Sequence, residues 1–326
     1  MPAARRNASL ALAAGLLAAG LLAAGTVSAQ PKTIRIVVSF TAGGPVDTVA
    51  RIVAEPLGRE LGRPVLVDNK PGANAALGAL EVLRADPDGG TLWLTSVGAA
   101  AINPALYAKL PYDMARDFAP VSLVVGNEEL LVAHPSDLAA DAAGFVANAR
   151  RQSRPVAMAS SGVGSIPHLA IEQLHEATGV AFLHVPYKGA SQAVADLMGG
   201  EVAGFFGDLP GLLGPVRAGK LKALGLAAAH RHPALPAIAT LEEQGIHGVD
   251  TRNWYAVFVA ARTPAGTVDS LARALRAVLE SPAVRERLQQ AGADPSPSTP
   301  EALAALLRRD GEKWARLIQA HQIRPE

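Results

Sequence analysis

The chain has 326 residues, 49% of them hydrophobic and 18% charged, with 30 Lys and Arg against 29 Asp and Glu. Length and apolar content suffice for two ordinary domains, and the near-zero net charge offers no electrostatic footprint for nucleic acid or an anionic membrane. Cysteine is absent, which excludes thiol chemistry, disulfides and a lipid-modified N-terminal cysteine.

In chain order, Arg5-Arg6 comes first, followed by the apolar run LALAAGLLAAGLLAAG and a small-residue exit, Thr26-Val27-Ser28-Ala29. That order marks a secretory signal peptide cut after Ala29; the alternative, an N-terminal membrane anchor, calls for a longer span. Cleavage takes the basic residues from 30 to 28 against 29 acidic ones, leaving a mature chain of net charge −1. No later stretch is long and apolar enough to span a membrane, so the mature protein is expected to be freely soluble outside the cytoplasm.

TIRIVVSF (33–40) reads as a buried strand, and Val46, Val49, Val53 and Leu57 then recur at helical spacing. Further short apolar runs follow at 64–69, 91–96, 121–125, 130–134, 155–160, 182–187, 202–208, 221–228 and 255–260. Helical patterns separate most of them, which predicts a largely parallel, open α/β arrangement. Ser281-Pro282 and Thr299-Pro300 each read as an N-cap with proline at the first helical position, and Gly292 suits a helix C-terminus. The C-terminal helices carry Leu271, Leu275, Leu303, Leu307, Trp314 and Ile318 at packing positions, with Trp314 expected in the core. No low-complexity linker follows the signal peptide, so two domains would be joined by more than one ordered crossing that acts as a hinge.

Two glycine-rich turns are placed for anion binding. FTAGGPVDTVAR (40–51) joins the first strand to the first helix, leaving first-turn N–H groups aimed past the strand's carboxyl end. Pro45 fits the first helical position, and Asp47 serves either the helix dipole or a ligand directly. SSGVGS (160–165) repeats the arrangement between PVAMAS and IPHLAIEQLHEA. A third turn, NKPGAN (69–74), follows PVLVD, and Asn74 is suited to cap the next helix or to donate to a carboxylate. The plain alternative is that these are tight turns and nothing more. GxGxxG, GxxxxGK[ST] and GxSxG are all missing; His175-Glu176 lacks the second histidine of a zinc protease motif, and His230-Arg231-His232 lies in a polar turn. No cofactor and no metal is expected.

AGGPVDTVAR (42–51), NKPGANAALGA (69–79), NPALYAKLPYD (103–113), DFAPVSLV (117–124), SSGVGSIPHLA (160–170), HVPYKGASQAVADLMGG (184–200) and WYAVFVAARTPAG (254–266) together resemble the tripartite tricarboxylate transporter substrate-binding receptors, also called Bug receptors. The resemblance covers nearly the whole mature chain in order. It implies a type II periplasmic-binding-protein fold, with two α/β domains, two crossover strands and a ligand cleft between them. On the resemblance, 30–132 with 256–326 form one domain and 133–255 the other, crossing near Val132 and Tyr255. It also implies a carboxylate ligand held by Ala42, Gly43, Gly44, Asp47, Gly72, Ala73 and Asn74 from one side. From the other side it implies Ser161, Gly164, Ser165 and His168, with Tyr187, Lys188 and Gly189 nearby. His168 is open to a second role, satisfied by a neighbouring loop within the fold. Relatives often have glycine where Ala75 and Ala76 stand, and an Asp-Asn pair where this chain reads Gly207-Asp208, which leaves the role of Asp208 at the ligand open.

The function expected is capture of a small mono-, di- or tricarboxylate by a monomeric receptor that docks on a membrane permease, with no chemistry. A periplasmic sensor feeding a signalling partner is a second reading. A third is an α/β hydrolase with Ser161 or Ser165 as nucleophile and His168 as base, which lacks a third group to orient the base.

Overall fold

The structure, a computed structural model, describes residues 32–325; the signal-peptide reading lies outside them, as does the side-chain role expected of Asn74. β1 (Ile34–Val38), α1 (Pro45–Leu61), β2 (Val65–Asn69), α2 (Ala76–Arg84), β3 (Thr91–Ser96) and β4 (Phe118–Asn127) open the chain. There follow β5 (Glu129–Ala133), α3 (Ala142–Arg150), β6 (Val156–Ser160), α4 (Ile166–Thr178), β7 (Phe182–Pro186), α5 (Ala190–Gly199), β8 (Gly204–Asp208), α6 (Leu209–Arg217) and β9 (Lys222–Ala227). β10 (Asn253–Ala260), α7 (Ala265–Glu280), α8 (Pro282–Gln290), β11 (Asp294–Pro295) and α9 (Pro300–Ala320) close it.

The strands form two sheets, ordered β11-β4-β10-β3-β1-β2 and β7-β6-β8-β5-β9. Each sheet is mixed, which corrects the expectation of a largely parallel one. β1 pairs in parallel with β2 and β3, and β6 with β7 and β8, whereas β10 runs antiparallel to β3 and β4, and β5 antiparallel to β8 and β9. β10 and β5, which run against the parallel strands, lie next to the crossings, and β11 adds a further antiparallel pair with β4. β4 leaves the first sheet and β5 enters the second with only Glu128 between them, and the chain returns through residues 228–252 into β10. The border expected at Val132 therefore falls inside a strand of the second sheet, and Tyr255 already lies inside the first; an apolar run reveals a strand but not which sheet it joins.

Apolar residues cover both faces of each sheet, as helices on two sides require. Ile36, Leu94 and Val257 pack with Val49, Val53 and Leu57 of α1 and Leu275 of α7 on one face of the first sheet. On its other face Trp93, Phe258 and Trp254 pack with Trp314 and Ile318 of α9. Ile166 and Leu169 of α4 join that second group, so a helix of the second lobe also leans on the first. Leu131, Met158 and Phe206 face α3 and α4 in the second sheet, and Leu130, Ala159 and Phe205 face α5 and α6. Leu241, Ile246 and Val249, on the return path, still belong to the second lobe's core.

Trp93 is fully buried, edge-on to Tyr112 at 5.6 Å and tilted against Phe118 at 4.6 Å. Its indole N–H donates to Ser39 Oγ at 2.7 Å, and the Ser39 hydroxyl donates to the Ala75 carbonyl at 3.1 Å. One serine thus ties the core to the turn that precedes α2. Ser39→Ala leaves both the indole N–H and the Ala75 carbonyl without that partner inside the protein, a loss of about 1–3 kcal/mol; denaturant unfolding of the variant measures it, and an unchanged midpoint would contradict it.

Candidate functional site

Parallel strands deliver their following turns at their carboxyl ends. Val38, Asn69, Ser160 and Asp208 end β1, β2, β6 and β8, and the turns that follow them meet. A Cβ built on Gly211, in the first turn of α6, would lie 3.3 Å from Pro45 at the start of α1. One built on Gly164 would run into the side chain of Leu106 of the first lobe. The glycine-rich edges of the two lobes therefore face each other, and the space between them is the candidate ligand cleft.

The first turn is braced from within. Asp47, 2% exposed, accepts from the Gly43 N–H at 2.8 Å, from Arg51 Nε at 2.8 Å and from the Asn69 amide at 3.0 Å. Asn69 also donates to the Phe40 carbonyl at 3.0 Å. Burial opposes ionisation of Asp47, but the Arg51 guanidinium, the Gly43 N–H and the Asn69 amide outweigh it and hold the carboxyl below its ordinary range. Of the two roles weighed for Asp47, the geometry shows a carboxylate with both oxygens occupied, which fixes the turn's shape. The Gly43 N–H is used in doing so, and the Gly44 N–H points to the Thr41 carbonyl at 3.3 Å. No side chain caps α1, whose N-cap is Gly44, so its first-turn N–H groups beyond the N-cap keep their donor capacity for something outside the helix.

The next turn shows backbone strain. Gly72 has φ 125°, which suits glycine alone, while Ala73 at φ 46° and Ala75 at φ 74° occupy the left-handed region. For alanine that region costs roughly 1–2 kcal/mol per residue. Ala75 is the N-cap of α2 and makes no side-chain cap. The buried Ala75 methyl joins the core around Trp93, whereas Ala73 is exposed.

The serine turn is the most internally bonded. Ser165 Oγ donates to the Gly162 carbonyl at 2.7 Å, and the Gly164 N–H donates to His168 Nδ1 at 3.0 Å. His168 Nε2 lies 3.5 Å from Glu172. Both ring nitrogens of His168 thus have partners within the fold. The Ser–His contact that does form is Ser160 Oγ to His184 Nε2 at 2.6 Å, a pair the sequence reading did not single out. His184 stacks on His168 with centroids 3.7 Å apart and planes 6° from parallel. Burial, and after it the neighbouring His168, pull the His184 pKa down to about 4. Tyr187, half-buried, packs on the second lobe's core, its N–H donating to the Ser160 carbonyl at 3.0 Å.

Asp208 spans the lobes. It ends β8 in the second sheet, yet accepts from Asn253 Nδ2 at 2.7 Å and from the Tyr255 hydroxyl, both on β10 of the first. Asn253, Tyr255, Ser39 and His184 are site-supporting residues that sequence reasoning missed, since each lies in a strand or at its end without a motif of its own. Among the described residues no group of three or more His, Asp or Glu is placed to hold a metal ion, and no helix is long and apolar enough to cross a membrane.

Two measurements test this geometry. Ala73→Gly relieves left-handed strain at an exposed position and is expected to stabilise by about 1 kcal/mol, a melting rise of about 2 °C by calorimetry; a lower melting temperature would show that no strain is stored there. For His184, a ring held neutral down to about pH 4 in the folded state meets an unfolded value of 6.5. The unfolded chain then binds the proton more readily, so this contribution is present above the unfolded value and is lost as pH falls towards the folded one. His184→Phe keeps the ring stack and has no proton to take; its melting temperature should fall less than the parent's across that window.

The family model for the tripartite tricarboxylate transporter family receptor matches residues 49–323. BugT from Bordetella pertussis is 33% identical over 289 residues, 88% of this chain and 89% of that protein. Among solved structures, Rhodopseudomonas palustris Rpa4515 with adipate superposes with a TM-score of 0.86 at 30% identity, covering 91% of this chain and 99% of that one. MatC from the same organism, with bound malate, gives 0.80 at 31% identity, covering 88% and 98%. The chain shares its fold over most of its length with these two proteins, and it belongs to the tripartite tricarboxylate transporter receptor family, whose members are solute-binding receptors and not enzymes.

Proposed function

We propose that the protein captures a small organic acid between its two lobes and delivers it to a membrane permease. The observation that carries this is the facing of glycine turns across the lobe interface, with the N-terminus of α1 opening onto it uncapped. Main-chain N–H groups at a helix start form an anion site without a cationic side chain. Two cations beside the first turns are engaged within the fold: Arg51 with Asp47 and Asn69, and Lys70 with Asp68 at 3.5 Å. A carboxylate held this way gains about 1.5–3 kcal/mol per charge-assisted hydrogen bond, set against desolvation and closure. Adipate and malate in the two relatives support an acid as the ligand class. The two sheets with their helices act as the closing domains, and β4–β5 with the strand entering β10 as the hinge. Ala42, Gly44, Gly72, Ala73 and Asn74 of the first lobe, and Ser161, Gly164 and Ser165 of the second, are the positions assigned to the ligand. Asp47, His168 and Asp208 shape the site from behind.

A thermal-shift panel on the chain from Gln30 tests the reading, because a ligand that binds only the folded state raises the melting temperature with its concentration. A rise with mono- or dicarboxylates, without turnover, is expected; a rise confined to sugars, or none with any acid, would refute it. Gly44 has φ −78°, which any residue adopts, and a Cβ there would lie 3.3 Å from the Thr41 carbonyl. Gly44→Val is therefore expected to fold while losing about tenfold or more in affinity, 1.4 kcal/mol or more, by calorimetry. Unchanged binding would remove the first turn from the site.

A further inference from the structure

At the floor of the cleft, where the chain crosses between sheets, two carboxyl groups stand side by side. Glu129 and Asp208 are directly opposite in the β5–β8 register. Glu129 is fully buried and neither of its oxygens receives a hydrogen bond, and the equally buried amide of Asn127 has no partner either. Asp208 accepts from two neutral donors, Asn253 and Tyr255. Two adjacent buried carboxylates without a cation cannot both be ionised.

The surroundings supply no such cation. Arg252 approaches Glu128 at 3.9 Å, with its side chain 59% exposed. His232 is paired with Asp294 at 3.4 Å, and these two, with Asp250, lie around Glu128 rather than the pair. Tyr255 is driven upward by burial and by Asp208, so its phenol remains a donor. Burial pushes Glu129 well above the carboxylate range and Asp208 in the same direction, and the ionised Asp208 leaves the proton on Glu129.

We propose that closing the lobes takes up a proton at the Glu129–Asp208 pair, so that capture of an anion and uptake of a proton are one event. The inference rests on the receptor reading above. Asp208 belongs to the second sheet and its donors to the first, so opening draws Asn253 and Tyr255 away and admits water. Hydration removes the burial that favours the protonated pair. A ligand carboxylate arriving in the cleft adds negative charge and raises the pair's proton affinity further. Both effects have the same sign: the closed form is favoured at low pH and loses that advantage as pH rises through the closed-state value.

Small-angle scattering of the ligand-free chain, from about pH 5 to about pH 8, tests this without knowledge of the ligand. The parent should be more compact at the acid end, with circular dichroism confirming that it stays folded. Glu129→Gln offers Asp208 an N–H in place of a titrating proton and should lose the pH dependence. His321 bridges to Glu172 and Glu176 elsewhere between the lobes and is common to both proteins, so the difference between them is the quantity read. With adipate or malate, whichever raises the melting temperature, calorimetry in two buffers of different ionisation heat should show uptake of up to one proton. Affinity should fall by up to about tenfold per pH unit. A parent whose dimensions do not change with pH overturns the proposal, as does a Glu129→Gln protein that keeps the full dependence. Where Glu129→Gln does not fold, Asp208→Asn, which likewise leaves a single carboxyl at this place, takes its position in the comparison, and a full pH dependence kept there overturns the proposal as well. If no acid in the panel binds, it is the receptor reading that fails, and scattering still reports on the pair separately.

Discussion

The first N–H groups of a helix have no acceptor within it, and the site of this protein is organised around that shortage. α1 starts from Gly44 with no side-chain cap, and α2 starts from Ala75 likewise. Elsewhere the same need is met locally: Asp141 accepts from the Gly144 N–H ahead of α3, and Thr299 from the Ala302 N–H ahead of α9. Leaving the starts of α1 and α2 uncapped conserves donor capacity for an incoming anion, whereas Ser165 caps α4 at the serine turn, and the surrounding bonds keep these starts in place. Asp47 fixes the first turn, Ser39 and Trp93 fix the second, and His168 and Ser165 fix the third. The chain thus invests its side chains behind the turns and presents main chain in front of them.

That division explains which parts were legible in the sequence. Glycine turns between a strand and a helix have a pattern, so 40–51, 69–74 and 160–165 stood out as sites. The ten apolar runs read as strands all became strands, because buried segments between helices leave little else to form. β11 was missed: two residues with a proline carry no periodicity. Strand direction was also illegible, since nothing in VSLVV or YAVFVA tells a parallel strand from an antiparallel one. The role of Asp47 could be posed but not resolved, for the answer lay in Asn69, which the fold brings close; for His168 it lay in the Gly164 N–H and in Glu172, one turn on along the same helix. Asn253 carried no signal, and Tyr255 read only as a strand residue near a crossing. They matter because β10 sets them against Asp208, a contact across 45 and 47 residues of chain.

The arrangement of the sheets has a consequence for how the molecule is made. β10 lies in the interior of the first sheet, between β4 and β3, yet it is synthesised after every strand of the second sheet. The second lobe, from β5 through the return path, is one contiguous stretch and can assemble as soon as it is complete. Until β10 arrives, β3 and β4 present unpaired edges and Trp93 lacks Phe258 beside it. Closure of that sheet is a long-range event of the slow kind, and unpaired edges are surfaces that aggregate. Folding order is thereby written into the topology: the inserted lobe first, and the lobe that carries β1 and α9 last.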